Sequence, residues 1–314
     1  MASTAANLVD HVLPDQPLRQ WVFTFPQPLP RLLAWRPDLL ERVLADIAHG
    51  ILTDLRRRTG EPEGQAGLVS FLQNFTGDLR CFLHVHSLVP DGVFVEEDGG
   101  EVHFVRAPIP TQADLQRVAE ELAVRVTRTV RRWVFKLGDE AHLGEDLLDD
   151  LGRLGEEQVG ATSGRRRDRP AARQRRWLAE HHGFAIHAGV TAERGDPRGR
   201  ERLVRYMARP ALALRRICWE DGQVRIDFKQ PWRNGVSAIR LRPEVFLLRL
   251  ASLVMPAGVN LVRYHGVFAP ASPLRSRVVP KPRTDEPPQR TSRWILWHIL
   301  FKRVFLRDPR LYPH

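Results

Sequence analysis

The chain has 314 residues, only two cysteines and a formal net charge of +11, with a sequence pI near 10.7. Two cysteines exclude a disulfide framework, and the absence of a Cys-x-x-Cys pair excludes a structural zinc site of that kind. The apolar runs are too short to cross a membrane and no charged-then-apolar leader opens the chain, so we expect a soluble cytoplasmic protein. The arginine excess favours a polyanionic partner, because neutralised phosphates release counterions.

The first half of the chain combines predicted strands with long amphipathic helices. The predicted elements are a strand at 19–26, a helix at 37–58, a strand at 81–89, a hairpin of 93–97 with 101–106, and a helix at 111–137. A Gly/Pro/Glu loop at 59–67 precedes the strand at 81–89, and the sequence Val-Pro-Asp-Gly follows it as a turn signal. Thr111 and Asp114 resemble a capping box at the start of the last helix.

The charge composition of the chain changes in residues 138–180, where an acidic stretch precedes seven arginines within residues 165–176. We interpret this segment as a surface insertion that is either a solvated charge run or a contact to a DNA backbone.

The second half again alternates short strands and helices. The predicted elements are a strand at 183–190, a helix that begins at Asp196-Pro197, a hairpin of 216–220 with 223–228, a strand at 236–241, a helix at 243–255 and a strand at 259–265. A Pro/Arg-rich linker follows, with a short helix at 292–305. Together these elements predict an α+β fold with a largely antiparallel sheet and flanking helices.

His84 and His86 lie in the apolar strand at 81–89. Residues i and i+2 of a strand point to the same face, so the two imidazoles are expected to project side by side. An unpaired polar group on a half-buried face costs about 1–3 kcal/mol, and one shared divalent metal would serve both rings. The alternative is a pair of histidines that bond only to backbone or water.

Tyr206, one of three tyrosines, lies on the helix that begins at Pro197. Spacings of 4, 3 and 4 place four arginines on one helical stripe beside it, and Pro210 then ends the helix. The stripe consists of Arg198, Arg202, Arg205 and Arg209. A phenol is a poor nucleophile at neutral pH, but guanidiniums favour its ionised form. The alternative is that Tyr206 merely packs at a helix end on a basic surface.

Several stretches, in chain order, resemble rolling-circle insertion-sequence transposases of the HUH endonuclease superfamily, in the lineage of insertion sequence ninety-one. They are Leu8-Val-Asp-His-Val-Leu-Pro14, Arg19-Gln-Trp-Val22, Leu83-His-Val-His-Ser-Leu-Val-Pro-Asp-Gly-Val-Phe94, Arg205-Tyr-Met-Ala-Arg-Pro210, Lys229-Gln-Pro-Trp-Arg233 and Leu261-Val-Arg-Tyr-His-Gly-Val-Phe-Ala-Pro270. The resemblance covers residues 5–280. The histidine pair precedes the tyrosine, as in replication initiators and these transposases, whereas conjugative relaxases have the tyrosine first.

The resemblance implies that His84 and His86 bind Mg²⁺ or Mn²⁺, and that Tyr206 attacks a phosphate of single-stranded DNA. A 5′-phosphotyrosine and a free 3′-OH would result, and that 3′-OH can reverse the reaction at a new junction without ATP. The third ligand is open between His187 and His265, with Gln73 and Glu201 as further options. The residues assigned to DNA phosphates are Arg202, Arg205, Arg209 and Arg263.

The resemblance also implies a domain organisation and a set of partners. Residues 1–272 would form the catalytic domain and residues 273–314 a linker with the short helix. Pro210 occupies the second position of the Tyr-x-x-x-Tyr pattern, which is similar to the single-tyrosine branch, and the N-terminal zinc module of relatives is missing. The expected partner is single-stranded DNA at transposon ends and targets in the bacterial nucleoid, with no membrane and no small-molecule substrate.

Two other functions remain open from the sequence. One is a truncated, catalytically inactive DNA-binding remnant of such a transposase. The other is a metal-dependent phosphoesterase that uses His84 and His86 without covalent chemistry.

Overall fold

The computed structural model describes residues 2–77, 79–137, 176–209, 213–229, 235–255 and 258–281, with single positions at 231, 299 and 302. The predicted insertion at 138–180 therefore lies outside the described residues up to 175, and the predicted helix at 292–305 lies outside them apart from 299 and 302. In this described part of the chain, no helix is long and apolar enough to cross a bilayer.

The fold is α+β, as the sequence predicted. The helices are α1 (Ala2–His11), α2 (Leu29–Trp35), α3 (Pro37–Thr59), α4 (Gln112–Leu137), α5 (Pro197–Met207), α6 (Pro243–Ser252) and α7 (Arg275–Val278). The strands are β1 (Leu18–Thr24), β2 (Gly67–Asn74), β3 (Leu83–Pro90), β4 (Gly92–Glu96), β5 (Val102–Arg106), β6 (Leu178–His181), β7 (Phe184–Ala192), β8 (Ile217–Glu220), β9 (Gln223–Asp227), β10 (Ala238–Leu241) and β11 (Val262–Gly266).

A six-stranded antiparallel sheet in the order β11-β2-β3-β1-β7-β6 forms the centre of the molecule. The histidine strand β3 lies inside this sheet, between β2 and β1. Val85 packs into the core on the α3/α4 face, whereas Leu88 packs on the opposite face with α1 and α5. Since side chains alternate along a strand, His84 and His86 point to the α1/α5 face.

The two long helices begin and end as their sequences predict. Pro37 occupies the first turn of α3, and Gly60, with a left-handed φ of 76°, ends that helix. At the start of α4, the amide and the hydroxyl of Thr111 both donate to Asp114 Oδ2, at 2.8 and 2.7 Å. These bonds satisfy groups that an uncapped helix would leave unpaired.

A smaller sheet in the order β10-β9-β8 packs with α6 around its own apolar core. Val224, Ile226 and Leu241 are buried there together with Leu79, which comes from the segment after β2 and connects the small sheet to the large one. The predicted hairpins β4–β5 and β8–β9 are both confirmed.

Several elements differ from the sequence predictions. The strand β2 was not predicted because all eight of its residues are buried, so it lacks the polar alternation of a half-exposed strand. The strand β6 and the helices α1 and α2 were also not predicted. The helix α5 ends at Met207, three residues before Pro210. Within the predicted linker, Leu274 and Val278 are buried against the α1/α5 core.

A buried ion pair joins β1 to the turn after β3. Arg19 is 3% exposed and Asp91 is 7% exposed, and Arg19 donates from Nε and Nη2 to the two carboxylate oxygens, at 2.8 Å each. Arg19 Nη1 also donates to the carbonyl oxygen of Ala188 at 2.8 Å, so the pair crosses three strands.

We predict that Asp91→Ala destabilises the protein by about 3–5 kcal/mol, because it leaves a buried guanidinium without its counter-charge. Urea unfolding followed by circular dichroism measures this free energy. The matched control is Asp98→Ala in the exposed β4–β5 turn, which should change stability by less than about 0.5 kcal/mol. Equal stabilities of the two variants would contradict the assigned role.

Candidate active site

The two histidines of β3 lie side by side on the α1/α5 face, with ring centroids 5.0 Å apart. His86 is buried, at 5% exposure, while His84 is half-buried. The edge of the Phe75 ring approaches His84 from the end of β2, at 6.4 Å between centroids. The pair therefore combines one buried ring with one ring that solvent can partly reach.

Each histidine uses Nδ1 for a protein contact. His84 Nδ1 lies 3.1 Å from the carbonyl oxygen of Phe82. A carbonyl only accepts, so this nitrogen carries the proton and Nε2 of the neutral ring keeps a lone pair. His86 Nδ1 lies 2.6 Å from the side-chain amide of Gln20, and His86 Nε2 is buried without a hydrogen-bond partner. The Nε2 side of the pair is the side suited to a metal.

Burial, with smaller contributions from His84 and Arg209, lowers the pKa of His86 from 6.5 to about 3. His86 is therefore neutral at physiological pH, which is the form that binds metals. Burial also lowers the pKa of His187 and of His265.

We predict that acid destabilises the metal-free protein through His86. The unfolded histidine binds a proton below pH 6.5, whereas the folded one remains neutral down to about pH 3. The free energy of unfolding is therefore highest above pH 6.5 and falls as the pH drops towards 3, with about 2 kcal/mol lost between pH 7 and 5. Urea unfolding in a chelator at the two pH values measures the loss.

The variant His86→Asn should lose part of this pH dependence, because it removes the group that titrates in the unfolded state only. The control is His182→Asn at an exposed turn position with a φ of 45°, which asparagine tolerates. An unchanged pH dependence in His86→Asn would contradict the prediction.

Gln73 is the polar residue that the fold brings to the pair. It lies directly opposite His84 in the β2–β3 register and is buried, at 2% exposure. Its Nε2 donates to the carbonyl oxygen of Met207 at 2.6 Å, which fixes the orientation of the amide. Its Oε1 is buried and has no hydrogen-bond partner. An amide oxygen is a hard ligand of the kind that Mg²⁺ and Mn²⁺ accept.

The histidines considered as third ligands lie elsewhere. His187 is opposite Val22 on β1, and Val22 is opposite His86, so one whole strand separates the two histidines. His265 is opposite Leu68, which packs on the α3/α4 face, so it points to the other side of the sheet. Across the residues that the structure describes, no three His, Cys, Asp or Glu side chains are grouped to hold a metal.

Tyr206 lies at the C-terminal end of α5, next to the residue that Gln73 contacts. Its side chain is 44% exposed, and the guanidinium of Arg209 lies 4.4 Å from its ring centre. The charge of Arg209 also contributes to the lowered pKa of His86, so Arg209 is close enough to act on both the tyrosine and that histidine. Asp196 caps the other end of α5 by accepting from the Gly199 amide at 2.8 Å.

The family model described as "Putative transposase" (Y2_Tnp) matches residues 67–276, which is two thirds of the chain. The chain belongs to this transposase family. The match includes both histidines, Gln73 and Tyr206. No curated protein and no solved structure matches the chain.

The arginines assigned to phosphate binding divide into two groups in the transposase. Arg202 is exposed and Arg205 is half-buried on α5, and Arg209 follows the end of the helix and stacks on Tyr206. Arg263 is on the α3/α4 face instead, where it lies 3.3 Å from Glu41. Three of the four predicted arginines therefore lie on, or directly after, the helix that carries Tyr206.

A cleft of about 670 Å³ opens beside the transposase site. Gln73, Phe75 and Arg209 line it, together with apolar side chains from the segment that leads from α6 to β11. The cleft thus combines an aromatic ring, a cation and the amide side chain of Gln73. Gln20, which contacts His86, is a residue that the sequence analysis did not single out. The signal available in the sequence was a polar residue, Gln20, within the otherwise largely apolar strand β1.

Proposed function

We propose that this transposase is a metal-dependent nickase and strand transferase of the HUH type, which acts on single-stranded DNA through Tyr206. The observation that carries this proposal is the bond from Gln73 Nε2 to the Met207 carbonyl. Gln73 is opposite His84 and Met207 follows Tyr206, so one bond ties the candidate nucleophile to the candidate metal ligands.

The side chains at the His84/His86 pair are suited to binding a divalent cation. His84 and His86 would hold it through Nε2, and Gln73 would hold it through Oε1. The buried and unpaired His86 Nε2 and Gln73 Oε1 support this assignment, because such groups are rare in folded proteins without a bound partner. When bound, Mg²⁺ or Mn²⁺ would polarise the scissile phosphate and draw charge from phosphorus.

Tyr206 would supply the attacking oxygen. Its phenol oxygen would bond to phosphorus, and the bond from phosphorus to the 3′ oxygen would break. The phenolic proton would pass through solvent, which reaches the half-exposed ring, to the departing 3′ oxygen. The products are a 5′-phosphotyrosine and a free 3′-OH. Arg209 places a positive charge near the phosphate that Tyr206 would attack.

Strand transfer follows from the same chemistry. A 3′-OH attacks the phosphotyrosine, a new phosphodiester forms, and the Tyr206 oxygen leaves. One phosphodiester is exchanged for another, so no ATP is required. Pro210 occupies the position of a second tyrosine, so we assign one nucleophile per chain and place the protein in the single-tyrosine branch of the insertion sequence ninety-one lineage.

The residues around Tyr206 are suited to binding single-stranded DNA. Bases stack on aromatic side chains while cationic side chains follow the phosphates. Phe75 lines the cleft, and Arg202 and Arg205 lie on the helix that carries Tyr206. The transposon ends and the target are the single-stranded DNA partners that we propose.

The test uses the full chain and a randomised single-stranded DNA library, in which every short cleavage site is represented. With Mn²⁺ we expect a protein–DNA adduct that survives denaturation, and with EDTA we expect none. Nicked DNA without an adduct would instead indicate a non-covalent phosphoesterase. Tight DNA binding without nicking in any metal would indicate an inactive remnant, and either result would overturn the proposal.

A further inference from the structure

We propose that Gln20 is a positioning residue of the metal site, whose side-chain carbonyl accepts the Nδ1 proton of His86 and so presents Nε2 to the cation. This inference rests on the proposed metal-dependent function. It concerns a residue that contacts neither DNA nor metal and acts through His86.

The geometry of β1 brings Gln20 to the ring. Gln20 is 2% exposed, and its side-chain nitrogen lies 2.6 Å from His86 Nδ1. Gln20 is opposite Leu88 in the β1–β3 register, and His86 is two residues before Leu88 on the same face. The Gln20 side chain therefore extends along the strands to reach His86. An irregularity between Gln20 and Val22 breaks the register with β7, and such bulges redirect side chains.

Two buried atoms lack partners when the amide nitrogen faces Nδ1. The N–H of Gln20 then donates to Nδ1, and the ring proton must lie on Nε2. In that arrangement Gln20 Oε1 and His86 Nε2 are both buried without a hydrogen-bond partner. A buried unsatisfied group is costly, and a cation can satisfy His86 Nε2 only if that nitrogen carries no proton.

Rotating the amide by half a turn exchanges its oxygen and nitrogen in nearly the same volume. Oε1 of Gln20 then accepts the proton on Nδ1, and Nε2 of His86 holds a lone pair towards the site. This is the arrangement of His84, whose Nδ1 donates to the carbonyl oxygen of Phe82. The two ligand rings then have the same tautomer and the same orientation towards one cation.

The experiment compares Mn²⁺ affinity in the full chain without DNA, by titration calorimetry. Gln20→Leu should weaken binding about 10–100-fold, because the acceptor is lost. Gln20→Glu should bind at least as tightly as the unmodified protein, because a carboxylate only accepts. The control is Gln223→Leu on the small three-stranded sheet, which should bind as the unmodified protein does. Circular dichroism checks that each variant is folded.

A second measurement needs no substitution. Nitrogen-15 shifts of the His86 ring in the Mg²⁺-loaded protein should place the proton on Nδ1. A proton on His86 Nε2 would overturn the role of Gln20, and so would a folded Gln20→Leu protein with unchanged Mn²⁺ affinity. Neither result would contradict the metal site itself. An unmodified protein that binds neither cation would overturn the metal-dependent function, and this inference with it.

Discussion

Tyr206→Phe should abolish the covalent attachment of the transposase to DNA, with a loss of at least about 10³-fold, while single-stranded DNA and Mn²⁺ still bind. Phenylalanine keeps the ring beneath Arg209 but removes the oxygen that attacks phosphorus. The adduct band on a denaturing gel measures the loss. Filter binding and calorimetry measure the two retained affinities.

Tyr264→Phe is the matched control for that substitution. Tyr264 is the other tyrosine among the described residues, on β11 and on the same face of the sheet, with the Arg275 guanidinium 5.8 Å from its ring centre. It therefore has a similar cationic neighbour, but it lies on a strand and not beside Met207, the residue that Gln73 contacts. A persistent adduct in Tyr206→Phe, or an adduct lost in Tyr264→Phe, would contradict the choice of nucleophile.

His86→Ala should remove most of the Mn²⁺ affinity, by about 100-fold or more, and reduce nicking by about 10³-fold. His84→Ala should have a similar effect, because the two rings lie 5.0 Å apart and would share one cation. Gln73→Ala should weaken Mn²⁺ binding less, since a neutral oxygen is the weakest of the three ligands. Calorimetry and a nicking assay with Mn²⁺ measure these effects.

His187→Ala and His265→Ala are the controls for the ligand set. His187 is separated from His86 by the whole of β1, and His265 points to the opposite face of the sheet. Both variants should therefore bind Mn²⁺ as the unmodified protein does. If His187→Ala lost Mn²⁺ affinity as strongly as His86→Ala does, Gln73 would not be the third ligand.

The spacing of His84 and His86 was readable from the sequence because it depends on one strand only. The sequence left the third ligand open between His187, His265, Gln73 and Glu201, because that choice depends on which strands are neighbours. Gln73 is opposite His84 only through the β2–β3 register, and β2 was not predicted because it is buried on both faces. Gln20 is 66 positions from His86 and reaches it only through the pairing of β1 with β3.

The end of α5 illustrates a second limit of the sequence. A helical stripe was predicted to continue to Arg209, with Pro210 as the stop signal. A proline also disfavours helical backbone in the residue before it, so the helix ends earlier, at Met207. Arg209 lies beyond the end of the helix, and its guanidinium lies over the Tyr206 ring.

We expect Tyr206 to become covalently bound to a 5′ phosphate of DNA. Mass spectrometry of the adduct, after digestion with nuclease and protease, identifies the bound residue. We predict one modified peptide that contains Tyr206 and carries a nucleotide through its 5′ phosphate. A nucleotide on Tyr264, on Tyr312 or on another residue, or nicked DNA with no modified peptide, would contradict it.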